Sequence, residues 1–136
     1  MNRIKYADLN AKQKENYNFQ KVAGVLADYG FNCIKLADDW QGADFLAYHK
    51  DGNDTLKVQL KARLTVDKKY SEKGLHITFP INGTWYLLDH DALVQLVDKH
   101  SNFLNTKSWQ VGGGYNSDAP NGRLIEALKD YALEGA

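Results

Sequence analysis

Three polar side chains fall in register on two neighbouring segments that read as strands. Asp44 lies in Ala43–Lys50, while Gln59 and Lys61 lie in Asn53–Ala62. Asp51-Gly52 between them is a strong hairpin signal, because glycine adopts the left-handed backbone that tight turns need. With those two residues as the turn, Lys50 pairs with Asn53 and paired residue numbers sum to 103, which sets Asp44 opposite Gln59. Side chains alternate along a strand, so the hairpin divides into two faces. Phe45, Ala47, Leu56, Val58 and Leu60 make an apolar face suited to a core. Asp44, Leu46, Tyr48, Thr55, Lys57, Gln59 and Lys61 make the other. A carboxylate and an amide oxygen are hard ligands of the kind Mg²⁺ accepts. A bound Mg²⁺ can polarise a phosphodiester and lower the pKa of an attacking water. A lysine two residues along can orient that water or stabilise charge developing at phosphorus. The same alternation describes a solvated strand face, so the pattern alone leaves both readings open.

The surrounding sequence supplies elements able to hold such a hairpin. Asn10 followed by Gln13 fits a capping box, and a helix is predicted from there to Tyr29, with Gly30 as its stop. Phe19, Val22, Leu26 and Tyr29 recur at helical spacing as its buried stripe. Phe31–Ala37 reads as a strand and Asp38-Asp39-Trp40-Gln41-Gly42 as a turn-like connection. Residues 63–74 are polar and read as a loop. Leu75–Ile81 and Thr84–Leu88 form a second hairpin around Asn82-Gly83, and Asp89 caps a helix through about His100 that buries Leu93, Leu96 and Val97. Residues 101–120 are rich in Asn, Ser and Gly and read as a long loop with one short strand at Trp109–Val111. Asn121 or Gly122 opens a last helix with Leu124, Leu128, Tyr131 and Ala132 on its apolar side. The order predicts one α/β (α+β) domain over residues 1–136, a mixed β-sheet flanked by helices.

An aspartate opening one strand, a hairpin, and then (D/E)-x-Lys on the next resembles the signature of the PD-(D/E)XK nuclease superfamily, which has the restriction-endonuclease-like fold. Here the motif reads Gly42-Ala43-Asp44-Phe45-Leu46-Ala47 and then Val58-Gln59-Leu60-Lys61. A helix ending in Tyr29-Gly30-Phe31 precedes it, and Gly83-Thr84-Trp85-Tyr86-Leu87 is similar to the strand after the core in some members, so the resemblance spans residues 9–90. The chain departs from the pattern twice. Ala43 stands where proline is usual, with little chemical consequence. Gln59 stands where the acidic residue is usual, which removes one negative charge from the metal site. The resemblance implies Asp44, Gln59 and Lys61 as catalytic residues, and Mg²⁺, for which Mn²⁺ substitutes, held by Asp44 and Gln59. Glu15 is the candidate second carboxylate. It sits on the helical face of Phe19 and Val22, and the superfamily often contributes a glutamate from this helix. A solvated glutamate complementing the helix dipole explains Glu15 equally well. Gln20 is a weaker choice, and Asp38 and Asp39 read as turn residues.

The chain as a whole carries 17 basic and 17 acidic residues, which excludes a uniformly basic coat. Residues 57–73 nevertheless hold six basic residues (Lys57, Lys61, Arg63, Lys68, Lys69, Lys73) against two acidic ones, Asp67 and Glu72. A basic flank beside a metal site is what phosphate-backbone binding requires. Tyr70 within it can stack on a base. Trp40 reads either as a stacking contact or as a buried turn anchor. The four histidines show no zinc-ligand spacing, and His90 reads as a surface residue. Cys33, the single cysteine, reads as core in a reducing compartment. The N-terminus has no apolar signal region, and no run approaches the about 18 apolar residues of a membrane span.

These observations set the expectation of a cytoplasmic, Mg²⁺-dependent endonuclease that hydrolyses phosphodiesters, in DNA ahead of RNA. Lys57, Arg63, Lys68, Lys69, Tyr70 and Lys73 would contact the nucleic acid. A nuclease this small needs two sites to cut both strands in one encounter, which fits a homodimer. The alternatives are a non-catalytic nucleic-acid-binding module with a decayed metal site, and an assembly domain using Trp109–Tyr115.

Overall fold

Asn10 and Gln13 start the first helix by satisfying each other. The Asn10 side chain accepts from the Gln13 N–H and the Gln13 side chain accepts from the Asn10 N–H, both at 2.9 Å. Two orphan donors at the helix N-terminus are thereby bonded. In the computed structural model, which describes residues 1–101, 106–117 and 119–134, this helix is α1 (Ala11–Ala27). It buries Asn18, Val22 and Leu26. Tyr29, expected on that stripe, lies past the helix end and is exposed. Its hydroxyl accepts from the Glu134 N–H at 2.6 Å. Gly30 then reverses the chain with φ +86°.

The strands are β1 (Phe31–Trp40), β2 (Ala43–His49), β3 (Thr55–Leu60), β4 (Leu64–Asp67), β5 (Leu75–Ile81) and β6 (Thr84–Asp89). They are followed by α2 (His90–Ser101), β7 (Gly114–Ser117), α3 (Gly122–Leu128) and β8 (Ala132–Leu133). The main sheet runs β1-β2-β3-β5-β6-β8, and β4 pairs with β7 in a separate ribbon. Only β3 and β5 are parallel among these pairs. A parallel pair needs a long crossover. Here that crossover is residues 61–74, so the basic segment is carried across the sheet by topology.

Strand alternation feeds two cores. On one face, Phe45, Ala47 and Val58 pack with Val22 and Leu26 of α1 and with Trp85. On the other, Ile77, Phe79, Tyr86 and Leu88 pack under Leu64 and Val66 of β4, Leu93 and Val97 of α2, and Leu124 and Leu128 of α3. The mixed sheet flanked by helices is the fold class expected from the sequence.

Four local expectations are corrected. Asp38, Asp39 and Trp40 extend β1, and the turn is confined to Gln41 and Gly42, which take φ +55° and +90°. The polar stretch after Lys61 contains β4, because Leu64 and Val66 alternate inward. Trp109 sits in a π-type helical turn (Ser108–Gly112), and the strand there is β7. Tyr131 leaves the last helix and is exposed, while Ala132 pairs with Tyr86. The part of the long loop at 102–105 and 118 lies outside the described residues.

The Gln41-Gly42 turn is packed as well as bent. A Cβ on Gly42 would lie 2.8 Å from a Tyr70 ring carbon and 2.9 Å from a Leu75 methyl carbon. Gly42→Ala therefore meets both a left-handed backbone and a filled space. It should cost about 1–3 kcal/mol of stability, read as a lower urea midpoint; an unchanged midpoint would contradict this packing.

Candidate active site

β2 and β3 pair from Phe45↔Val58 to Tyr48↔Thr55, the expected register. Continued one step, it faces Asp44 with Gln59. The His49 N–H donates to the Asp54 carbonyl at 2.9 Å, so the closely bonded pairs are His49–Asp54, Ala47–Leu56 and Phe45–Val58. Ala43–Leu60 would be next, but the ladder stops before it. The Leu60 N–H donates instead to Asp44 Oδ2 at 2.7 Å. The carboxylate thus takes the place of a backbone carbonyl where the two strands part. That fixes Asp44 beside the peptide linking Gln59 to Leu60.

Asp44 is half-buried. Burial is the largest influence on its carboxyl and pushes the pKa up. The Leu60 N–H and the Lys61 charge oppose that push, and the negative charges of Asp39 and Glu15 add to it. Gln59 is only 2% exposed. It lies level with Ile77 in the β3–β5 register, beside the core under α2. Its Oε1 is buried and has no hydrogen-bond partner among the described residues. A buried acceptor left unpaired costs about 1–3 kcal/mol. Lys61 is held by its backbone, whose N–H donates to the Thr78 carbonyl at 3.0 Å. Its side chain forms no ion pair among the described residues, and its Nζ stands 5.9 Å from the Tyr70 ring centre.

Glu15 shares one groove with Leu60 and Lys61. It is largely exposed and lies 3.7 Å from both Lys12 and Lys35. The structure therefore brings Asp44, Gln59 and Lys61 to one end of the β2–β3 hairpin, and sets Glu15 across a groove from Lys61, engaged with two lysines. Among the described residues, no three His, Cys, Asp or Glu side chains come together as a metal-holding group. The oxygen set at the hairpin is one carboxylate and one neutral amide.

The basic crossover lies against this end of the sheet. Tyr70 packs on Gly42, with Lys61 at 5.9 Å and Lys69 at 5.0 Å from its ring centre. Its ring is therefore a half-buried prop as well as a surface. Lys57 Nζ donates to the Lys73 carbonyl at 3.2 Å and stands 5.9 Å over the ring of Trp40. Trp40 is 49% exposed, which removes the buried-anchor reading. Arg63, Lys68, Lys69 and Lys73 are exposed.

One supporting residue escaped the sequence reading. His90, expected at the surface, is 1% exposed. Its Nε2 lies 3.3 Å from the Asp67 N–H and can only accept from it. Its Nδ1 lies 3.0 Å from Asp91 Oδ1 and so carries the proton. Its ring meets Tyr70 edge-on at 6.3 Å. The signal was present in the alternation, since His90 continues the inward phase of Tyr86 and Leu88.

No protein-family model matches the sequence, and no curated protein matches it. Among solved structures, the bacterial homing endonuclease I-Ssp6803I superposes with a TM-score of 0.53 at 13% identity, over 91% of this chain and 87% of that one. The Holliday junction resolvase Hjc of the archaeal hyperthermophile Archaeoglobus fulgidus gives 0.45 at 16% identity, over 61% and 75%.

The raised Asp44 pKa means that the folded state holds this proton more tightly than the unfolded state. Stability is therefore lost as pH rises through the window above the ordinary carboxylate range. Asp44→Asn removes that loss while keeping an acceptor for the Leu60 N–H. The variant should melt higher than wild type at neutral pH and converge with it in acid. Identical pH–stability profiles would contradict the burial of this charge.

Proposed function

From the restriction-endonuclease-like fold of this chain, we propose that it is a metal-dependent endonuclease acting on the phosphodiester bonds of DNA, with Asp44, Gln59, Lys61 and Glu15 as its site. The observation that carries the reading is the hairpin end. Gln59, whose buried amide oxygen has no partner among the described residues, directly precedes the Leu60 N–H that bonds Asp44, a carboxylate whose burial works against its own charge. Both features cost stability in the absence of a cation and suit one, so the donor set fits Mg²⁺, with Mn²⁺ as a substitute. Asp44 and Gln59 would hold it through side-chain oxygens, and Glu15 would complete the shell on leaving its lysines. The chemistry supplied there on binding is Lewis-acid polarisation of the phosphodiester and a lowered pKa for water.

The remaining work belongs to the chain's own side chains. Lys61, which forms no ion pair among the described residues, is available to orient the attacking water and to meet the negative charge that grows on the phosphoryl oxygens. Tyr70 limits where its ammonium can go. Lys57, Arg63, Lys68, Lys69 and Lys73 supply positive charge for the DNA backbone, and Tyr70 a ring at their centre. These contacts read phosphate and so favour affinity over sequence choice. A homodimer would present two such sites to the two strands.

One observation favours a second reading, a DNA-binding module that does not cut: among the described residues, no three metal-binding side chains of the His, Cys, Asp and Glu type cluster. Metal titration separates the two, since this module would bind DNA in a salt-dependent way and bind neither Mg²⁺ nor Mn²⁺.

Nicking of supercoiled DNA in Mg²⁺ tests the catalytic claim. Lys61→Ala should lower the rate by about 10²-fold or more, and Asp44→Ala should abolish it. Gln59→Glu, which restores a second carboxylate, should lower the Mg²⁺ concentration for half-maximal rate. Equal trace cleavage by wild type and Lys61→Ala would sink the proposal.

A further inference from the structure

The groove that Glu15 shares with Lys61 continues along the α1 side from the start of the crossover. Tyr6, Asn18 and Ala62 line both of two adjoining depressions. One, of about 300 Å³, reaches Glu15, Leu60 and Lys61. The other, of about 390 Å³, reaches Tyr17, Lys21 and Trp85. Together they form one groove running from Lys61 along the first turns of α1 toward the β5–β6 turn.

Its lining combines rings with unpaired positive charge. The Tyr6 and Tyr17 rings meet at 5.3 Å and are tilted by 60°. Asn18 holds Tyr6 in place by donating to its hydroxyl at 2.9 Å. Lys14 stands 5.4 Å over Tyr6 and Lys21 5.3 Å over Tyr17. Neither lysine forms an ion pair among the described residues, whereas the groove's one glutamate, Glu15, is already engaged by Lys12 and Lys35. Flexible ammonium groups over rings suit a polyanion whose bases offer flat faces. A duplex hides those faces within its own stack, so such rings select unpaired nucleotides.

We infer that this groove binds an unpaired stretch of DNA strand next to the site of cleavage, so that the substrate is duplex DNA carrying a single-stranded arm. The inference rests on the endonuclease reading for the role of Lys61, and extends it to a substrate class. Tyr6 and Tyr17 stack on bases, and Lys14 and Lys21 swing from the rings to phosphates.

Binding measured in EDTA, by fluorescence anisotropy, tests the groove apart from cleavage. The probes are a blunt duplex and the same duplex with a single-stranded extension. Wild type should bind the extended probe at least about fivefold more tightly. The Tyr6→Ala/Tyr17→Ala variant should lose that preference and keep its affinity for the blunt duplex, while Tyr6→Phe/Tyr17→Phe should retain the preference. Lys14→Gln/Lys21→Gln, which removes the charges and keeps the aliphatic stems, should reduce the salt dependence for the extended probe alone. Equal affinity of wild type for the two probes, a preference surviving removal of both rings, or an unchanged salt dependence in the lysine variant would each overturn the inference. If Mg²⁺-dependent cutting is absent and the preference is present, the endonuclease reading falls and the groove stands.

Discussion

The bond from the Leu60 N–H to Asp44 is the contact on which the geometry of this hairpin end depends. An antiparallel ladder supplies every inward N–H with a carbonyl, and a strand pair that parts must find another acceptor for the first N–H left over. Here the acceptor is a carboxylate from the parting strand itself. The bond ends the ladder and keeps Asp44 beside the last residue of β3, next to Lys61. Because the acceptor is charged, the bond is stronger than the neutral pair it replaces. It also partly offsets the desolvation that raises the Asp44 pKa.

Around that bond, the molecule accepts local costs that a purely structural hairpin would avoid. Gln59 occupies a buried position level with Ile77, beside the core under α2, where Val or Ile would pack without an unsatisfied oxygen. Asp44 keeps a carboxylate in a half-buried place. Gly42 keeps an empty Cβ position so that Tyr70 can lie against the turn. Tyr70 in turn leans on His90, whose two ring nitrogens are both satisfied. The crossover imposed by the parallel β3–β5 pair brings the basic residues to this end, so charge and hairpin are united by topology rather than by sequence adjacency alone.

Most of this was legible in the sequence where local rules decide. The capping box of α1, the register of the β2–β3 hairpin and the Asp89 cap of α2 follow from short patterns, and all three occur. The β2–β3 register was readable because the residue sum of 103 survives a turn of two or four residues. What was not legible depended on tertiary context. Asp38-Asp39-Trp40 looks like a turn by composition, yet pairing with β2 carries β1 through it. His90 looks polar and exposed beside Asp89, yet Tyr70 and Asp67 enclose it. The engagement of Glu15 by Lys35 joins α1 to β1, and no spacing within either element reports it. The Tyr6–Tyr17 groove was likewise hidden, since Tyr6 precedes the helix and meets Lys14, Tyr17 and Asn18 of α1 only through tertiary contacts.

The proposed endonuclease depends on Asp44 and Gln59 forming a cation site at the parted hairpin end. Its most direct measurement is a Mn²⁺ titration followed by electron paramagnetic resonance of the free ion, on wild type and Asp44→Ala side by side. Wild type should show a saturable site from which Mg²⁺ displaces Mn²⁺ and which Asp44→Ala lacks. Wild type without a saturable site, or Asp44→Ala binding Mn²⁺ as tightly as wild type, would contradict it.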